Sequence, residues 1–471
     1  MSKPVQLVLT LLIDAVALNA AFLVYYKFRE QISVFAFSEY APMAVPAMLL
    51  LCLLWLLIFW LFGLYRAWHI GSRYDEVVVI FQAVTFGAVM LFVLIFADDM
   101  SFEASTGIER PYSMRFAIVI YWGMLFLLAA AGRLILRGVL RRQVLQGFGR
   151  RNAVIIGTDA RAKKLSDDIA RYAAMGMDVR GFVSANGTGK AMSHNGLPTL
   201  GHTSNLIKIL EAHKIDEVLI AVNTEHHDEL MQIIGQCESR GVGMKVLPDM
   251  YDIFSGAARL SHIYGIALVD IGPQPLSPLA ENLKRLFDIA LSLAVLIIGL
   301  PVWLVIMFVV WIDTRASPIY RQTRVGKGGS HFTIYKFRSM RADAESSGPQ
   351  LTQKNDARVT KFGGFMRKVR LDEFPQFFNV LKGEMSVVGP RPERPHFIDQ
   401  IVRHAPHYTR LHRVRPGITS WGQVKYGYAQ NTEEMLERLK YDLFYIENMS
   451  LRLDFKILFA TIYVVFTGRG Q

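Results

Sequence analysis

The chain has 471 residues, 52% of them hydrophobic, and a mean hydropathy of +0.26; it is long enough for roughly two to four domains and too apolar to be soluble throughout. Its 52 Lys and Arg against 40 Asp and Glu give a net charge of +12 and a pI near 9.5. The partners expected are therefore anionic, and the apolar content favours membrane headgroups and nucleotides over nucleic acid. The two cysteines, Cys52 in an apolar run and Cys237 in a soluble-looking segment, exclude a disulfide framework and a cysteine metal site.

Four apolar stretches come first, at 5–26, 43–65, 77–97 and 115–136. Each is about the length needed to cross ~30 Å of hydrocarbon. The first lacks a small-residue cleavage site, so a membrane helix is expected there and not a signal peptide. The loop after the second run carries Arg66 and Arg73, whereas the loop after the third sets Asp98, Asp99, Glu103 and Glu109 against Arg110. After the fourth comes the intensely basic RLILRGVLRRQVLQGFGRR. The positive-inside bias then places both ends of a four-helix membrane bundle, 1–140, in the cytoplasm. A buried soluble bundle is the weaker reading.

From Arg151 the texture turns to α/β, predicting a Rossmann-like domain over 150–250. NAVIIG reads as a buried strand, ARAKKLSDDIARYAAMG as a helix, DVRGFVS, VLIAV and GMKVLP as further strands. The turn GTDARA has Gly157 but no second glycine of a dinucleotide fingerprint, and Asp159 stands where backbone would approach a pyrophosphate. A structural or regulatory role is therefore expected over cofactor binding.

A linker over 251–280 contains the Pro-rich GPQPLSP. Beyond it, Ile289 to Ile312 is apolar apart from Ser292, Gly299 and Pro301. Basic residues flank both sides: Lys284 and Arg285 before, Arg315, Arg321, Arg324 and Lys327 after. A crossing would put one set of cations on the wrong side. The residues predict a re-entrant membrane helix over 284–313 that breaks at Leu300-Pro301 and returns to the same face. The last segment, LRLDFKILFATIYVVFTGRGQ, reads as an interfacial helix, with a core helix as its competitor.

Between these elements lies a basic mixed α/β domain, 281–471. A hairpin with a GKGG turn precedes Lys336, Arg338 and Arg341. Then follows RKVRLDEFPQFFNVLKGEMSVVGPRPERP, in which the acid pair Asp372-Glu373 stands between a run of cations and an Arg loop holding Arg391 and Arg394. LHRVRPGITSWGQV adds Arg413 and Arg415. Cations scattered among Pro and Gly turns suit headgroup phosphates and nucleotide diphosphates better than nucleic acid. Asp372 is a candidate cap for the helix FPQFFNVLK, and a helix start also favours anions. A carboxylate among arginines stays ionised at neutral pH, able to bind Mg²⁺ or to attack phosphorus.

KRLFDIALSLAVLIIGLP, VGKGGSHFTIYKFRSM, LDEFPQFFNVLKGEMSVVGPRP and RPGITSWGQV together resemble the bacterial monotopic phosphoglycosyl transferases, polyprenyl-phosphate sugar-1-phosphate transferases. The likeness runs from about Lys284 to the C-terminus, and the preceding bundle and α/β domain resemble the large multi-domain subgroup. The tail looks most like exopolysaccharide sugar transferases of exosortase/PEP-CTERM systems. The resemblance implies a ping-pong reaction of a UDP-sugar with undecaprenyl phosphate. Asp372 would be the nucleophile and form an acyl-phosphosugar, with UMP leaving; Glu373 would be its dyad partner, and both would lie at a Mg²⁺ site. Arg367 and Arg391 match phosphate-binding positions, to which charge and position add Lys336, Arg338 and Arg415. The resemblance also implies the bacterial inner membrane, an active site facing the cytoplasm, lipids around the protein, a homodimer, and downstream glycosyltransferases as partners. Two positions depart from the family: Leu300-Pro301 replaces its usual Ser-Pro, and Ser420 stands where Gly is common.

Two rivals are distant. A Rossmann enzyme acting on nucleotide sugars needs a better Gly-rich turn and a Tyr-x-x-x-Lys dyad, which is lacking between Arg151 and Met250. A membrane scaffold that merely binds UDP-sugars predicts binding without turnover.

Overall fold

The four N-terminal apolar runs fold as helices α1 (Lys3–Ile32), α2 (Ala41–Leu61), α3 (Arg73–Thr106) and α4 (Ser113–Leu145). They are seen in a computed structural model that describes residues 3–32, 41–65, 73–106, 113–147, 149–172, 176–185, 193–222, 227–248, 261–263, 266–270, 276–344, 348, 356–427 and 431–467. Pro4–Lys27, Tyr74–Asp98 and Ile118–Leu140 are long and apolar enough to cross a membrane, and α2 adds the shorter Val45–Leu61. Arg66, Glu109 and Arg110, which entered the charge comparison, lie outside the described residues.

Inside the bundle one buried cation on α4 joins α1, α3 and the turn that follows α2. Arg133 Nε and Nη2 donate to Asp14 at 2.9 and 2.6 Å, and its Nη1 donates to Glu76 at 3.1 Å and to the Leu64 carbonyl at 3.0 Å. Arg137 pairs with the second oxygen of Glu76. Charges in hydrocarbon persist only when paired in this way, so the cluster fixes the packing of α1, α3 and α4. Trp55 Nε1 donates to Tyr121 Oη at 2.9 Å, a buried polar contact between α2 and α4.

The α/β segment comprises β1 (Arg151–Ile156), α5 (Ala160–Arg171), β2 (Met177–Ser184), β3 (Ser193–His194), β4 (Leu197–His202), α6 (Leu206–Ala212), β5 (Glu217–Ile220), α7 (His227–Ser239), β6 (Gly243–Val246), β7 (Ser261–Ile263) and β8 (Ile266–Asp270). The sheet order is β3-β4-β2-β1-β5-β6-β8-β7, with β2–β4, β1–β5 and β5–β6 parallel. The stretch expected as a linker, 251–280, is not all linker: β8 pairs antiparallel with β6, and β7 with β8. A strand this short carries only a brief apolar run, here IALVD, which is easily missed beside Pro-rich sequence. Residues 249–260, 264–265 and 271–275 of that region lie outside the described ones. At the first turn Asp159 Oδ1 accepts from Ala162 N at 3.0 Å, so the start of α5 is capped by the chain's own carboxylate.

The C-terminal domain opens with α8 (Pro278–Thr314), capped by Ser277, whose hydroxyl accepts from Ala280 N at 3.3 Å. A hairpin follows, β9 (Ile319–Val325) and β10 (His331–Phe337), with Gly328 and Gly329 at φ +70° and +75° in its turn. The remaining elements are α9 (Lys361–Lys368), α10 (Gln376–Lys382), β11 (Ser386–Val388), α11 (Pro395–His404), β12 (Gly417–Thr419), α12 (Trp421–Lys425), α13 (Thr432–Glu447) and α14 (Leu451–Thr467). β11 and β12 are parallel, and the core gathers Val380, Met385, Ile401, Tyr445, Ile446 and Ile457. Ser420, one of the two departures from the family pattern, caps α12 by accepting from Gln423 N at 3.0 Å.

Helical backbone continues through Leu300 and Pro301, so the expected break is not an unwound one. Proline removes one N–H donor but holds a φ close to helical, which a helix tolerates when packing supports it. Both halves of α8 dock on the same domain. In the first half Lys284 Nζ donates to Val388 O (2.9 Å) and Asp454 (2.8 Å), Arg285 donates to Val380 O (2.7 Å) and Leu381 O (3.0 Å), and Asp288 accepts from Ser386 Oγ (2.8 Å) and Val387 N (3.0 Å). In the second half Trp303, Ile306 and Val310 pack with Phe337 and Met366, and the Trp303 ring lies 4.6 Å from that of Phe374. Gly299 is required there, because a Cβ would sit 2.3 Å from the Trp303 ring. Between these anchors Ile297, Ile298, Leu300, Val302, Leu304 and Val305 are exposed. The terminal helix combines both expectations: Asp454 and Ile457 are buried, while Phe455, Phe459, Ile462 and Tyr463 are exposed.

Candidate active site

The acid pair is set by an unusual backbone. Arg370, just past α9, holds φ +56°, a left-handed conformation costly for a side chain with a Cβ. The chain then makes a single 3₁₀ turn, Leu371–Glu373, and enters α10 after Pro375. Asp372 makes no capping bond to α10, so the capping reading of this carboxylate does not hold. Asn379 pins α10 to the hairpin: its Nδ2 donates to Thr333 O at 2.7 Å, and its Oδ1 accepts from Tyr335 N at 3.2 Å. That contact brings β10, and with it Lys336, to the pair.

Both carboxylates are buried, Asp372 at 8% exposure and Glu373 at 4%, yet their surroundings differ. Glu373 Oε1 accepts from Lys336 Nζ at 3.0 Å and Arg391 Nη1 at 3.4 Å, and Oε2 lies 3.8 Å from Arg370 Nη1. Asp372 accepts no hydrogen bond among the described residues. The titration behaviour follows. Burial would raise Glu373, but Lys336, Arg391 and Arg370 outweigh it and hold its carboxyl well below the usual range. Asp372 is raised instead, first by burial and then by the charge of Glu373, against the opposing pull of Lys336, Arg367 and Arg391. The arginines alone do not fix its ionisation, as the sequence suggested; its neighbour's charge counts against it. Burial lowers Lys336, with Glu373 as the main opposing influence.

Arg391 is held from behind. Glu393, two residues on, accepts from Arg438 Nη2 at 2.5 Å and Arg324 Nη1 at 3.2 Å, while Arg324 also donates to Pro392 O at 2.9 Å. Arg367 donates through Nε to Ser339 Oγ at 2.8 Å and acts on Asp372 by its charge. Lys336, Arg367 and Arg391 are therefore gathered around the pair. Arg338 is not: it donates to Ser317 O at 2.8 Å and covers the Tyr320 ring. Arg415 donates to Gly383 O at 2.9 Å, fixing the end of α10.

Sequence reasoning saw Arg370 and Arg324 only as members of basic runs and gave no site role to them or to Gln376, Glu393 and Arg438. Gln376 is 2% exposed and its Nε2 has no hydrogen-bond partner among the described residues, one helical turn beyond Asp372. Its position in D-E-x-P-Q was the available signal. Pairing with Arg438, 45 residues away, has no local signature.

No group of three or more His, Cys, Asp and Glu lies together among the described residues. A Mg²⁺ ion would therefore take most of its oxygen ligands from substrate phosphates and water, as this ion commonly does. Asp372, with its oxygens unbonded, and the adjacent Glu373 fit as the protein carboxylates.

The profile of the bacterial sugar transferase family matches residues 279–468, and that of a CoA-binding domain matches 60–248. The chain is 32% identical over 410 residues to a UDP-glucose:undecaprenyl-phosphate glucose-1-phosphate transferase of Xanthomonas campestris pv. campestris, covering 86% of this chain and 83% of the relative. The Klebsiella pneumoniae protein of the same description is 29% identical over 435 residues, 89% of each chain. A UDP-N-acetylgalactosamine-undecaprenyl-phosphate N-acetylgalactosaminephosphotransferase of Aeromonas hydrophila is 38% identical over 242 residues, 51% of this chain and only 56% of that relative. Such identity along most of two chains, together with the family profile over the domain that holds the acid pair, shows that this membrane protein belongs to the bacterial polyprenyl-phosphate phosphoglycosyl transferases and is an enzyme of that class.

Proposed function

We propose that the protein transfers a sugar-1-phosphate from a UDP-sugar to undecaprenyl phosphate at the cytoplasmic face of the bacterial inner membrane, as the first membrane step of exopolysaccharide synthesis. The unequal acid pair carries this reading: Glu373 is neutralised by three cations, and Asp372 is left with free lone pairs. An Asp372 oxygen attacks the sugar-bearing phosphorus, and the bond from that phosphorus to UMP breaks. An acyl-phosphosugar remains until an oxygen of undecaprenyl phosphate attacks the same phosphorus and expels the carboxylate. Lys336, Arg367 and Arg391 hold the diphosphate charge in place, and Gln376 supplies a neutral N–H to a phosphoryl oxygen. Mg²⁺ at Asp372 and Glu373 would offset charge on the donor. The product would pass to downstream glycosyltransferases.

The direct test quenches enzyme that has met donor but no acceptor. Intact-mass and peptide analysis should find one sugar-phosphate on Asp372 and a matching release of UMP. Turnover with no adduct on that residue overturns the covalent route.

α8 is proposed to enter one leaflet and return. Its 37 residues would extend about 55 Å if straight, more than enough to cross. A crossing helix would carry Trp303 to Val310 into the far leaflet, away from the domain against which they pack. In a variant lacking Cys52 and Cys237, cysteines placed at Ser277 and Ser317 should both react with an impermeant thiol reagent from the same side of the membrane. Labelling from opposite sides would make α8 a spanning helix.

A further inference from the structure

We propose that Arg321, Tyr335, Phe378 and Lys382 form a binding site for the phosphodiester headgroup of an anionic phospholipid, distinct from the acid pair. The proposal rests on the reading that α8 enters the membrane. Strand alternation separates the two sites: Lys336 turns toward Glu373, so Tyr335 lies on the other face of the hairpin. The register pairs Tyr335 with Arg321 and Phe337 with Ile319, which puts these four on one face. Phe337 and Ile319 are covered by the second half of α8. Arg321 and Tyr335 thus stand one pleat, roughly 7 Å along the strands, from the pair that the helix covers.

Two cations converge there on aromatic rings. The Arg321 guanidinium is 5.8 Å from the Tyr335 ring centre, and Lys382 Nζ is 5.1 Å from the same ring and 4.9 Å from that of Phe378. Lys382 Nζ also donates to Tyr335 Oη at 3.3 Å, which leaves the phenolic hydrogen free to donate. The Tyr335 and Phe378 rings meet edge to face at 5.8 Å. Among the described residues neither Arg321 nor Lys382 has a carboxylate partner, and both are exposed. Phe378 is 48% exposed, a ring that water does not favour and an interface does. The carbonyls of Val380 and Leu381 are held by Arg285 of α8, which fixes Lys382 beside the entry of that helix. Two unpaired cations, one phenolic donor and a flanking apolar ring match a phosphodiester whose acyl chains continue into the bilayer.

The test uses the full-length protein in nanodiscs of phosphatidylcholine with phosphatidylglycerol, the lipids retained being read by native mass spectrometry. Wild type should retain phosphatidylglycerol in preference to phosphatidylcholine. Arg321→Gln/Lys382→Gln should lower that preference by roughly tenfold, and the exposed single change Lys382→Gln should lower it in part. Adduct formation on Asp372 should be unchanged in both variants, which also shows that they are folded. Equal retention in wild type and variants overturns the site. So does unchanged retention with a raised KM for polyprenyl phosphate, which would assign the cations to the acceptor. In the variant lacking Cys52 and Cys237, rapid reaction of Ile298→Cys and Val305→Cys with a water-soluble thiol reagent in the same nanodiscs would overturn the entry of α8 and this site with it, whereas absence of the Asp372 adduct would strike only the catalytic reading.

Discussion

Asp372→Asn is expected to reduce UMP release by roughly 10⁴-fold or more, the scale seen when a covalent nucleophile is removed. Asparagine keeps the shape and one acceptor oxygen but cannot form the acyl-phosphate. Stability should move the other way. The folded protein raises the pKa of Asp372 above 3.8, so its ionised form is disfavoured in the fold. Its charge therefore subtracts stability at neutral pH, and that loss is recovered as pH falls through the folded pKa. Replacing it with a neutral side chain removes the loss, so the melting temperature of the variant should equal or exceed that of wild type at pH 7. A residue kept at a cost to stability is what a reactive site requires. Turnover assays and thermal unfolding on the same preparation check both halves. An inactive variant that is also several degrees less stable would point to a structural role for Asp372.

Legibility in the sequence followed locality. Periodicity and length marked the four N-terminal helices because each is a continuous run, and turn residues marked the GKGG hairpin because glycine supplies its φ directly. Asp372 and Glu373 were readable as a pair through their neighbours. Their division of labour was not. It depends on Lys336 arriving from β10 through Asn379, and on Arg391 being braced by Glu393, Arg324 and Arg438. Charge counting alone could not separate Arg391, which reaches Glu373, from Arg338 and Arg415, which bond to carbonyls elsewhere. Arg370 stood in the run of cations leading to the pair, but its left-handed backbone, which a sequence reserves for glycine or asparagine, could not be anticipated. The edge strand β7 and its neighbour β8 escaped notice because both are short and their apolar signal is brief.

Glu373→Gln should damage the enzyme in a different way, and its pH behaviour separates it from loss of the nucleophile. Removing the carboxylate leaves Lys336, Arg391 and Arg370 facing one another in a buried site. Breaking a buried ion cluster on one side costs about 3 kcal/mol or more. The folded pKa of Glu373 lies below its ordinary 4.5, so its contribution is fully present above pH 4.5 and is lost as pH falls from there toward the folded value. The stability gap between wild type and variant should therefore be wide at pH 7 and narrow as the solution is acidified below pH 4.5. The residual activity should show both limbs of the kcat/KM profile displaced toward acid. Without the neighbouring negative charge Asp372 ionises more readily, which moves the acid limb down. Without that same charge Lys336, already lowered by burial, releases its proton more readily and moves the alkaline limb down. An acid limb that stays in place, or rises, would mean that Asp372 does not feel the charge of Glu373 and that the two carboxylates do not work as one unit.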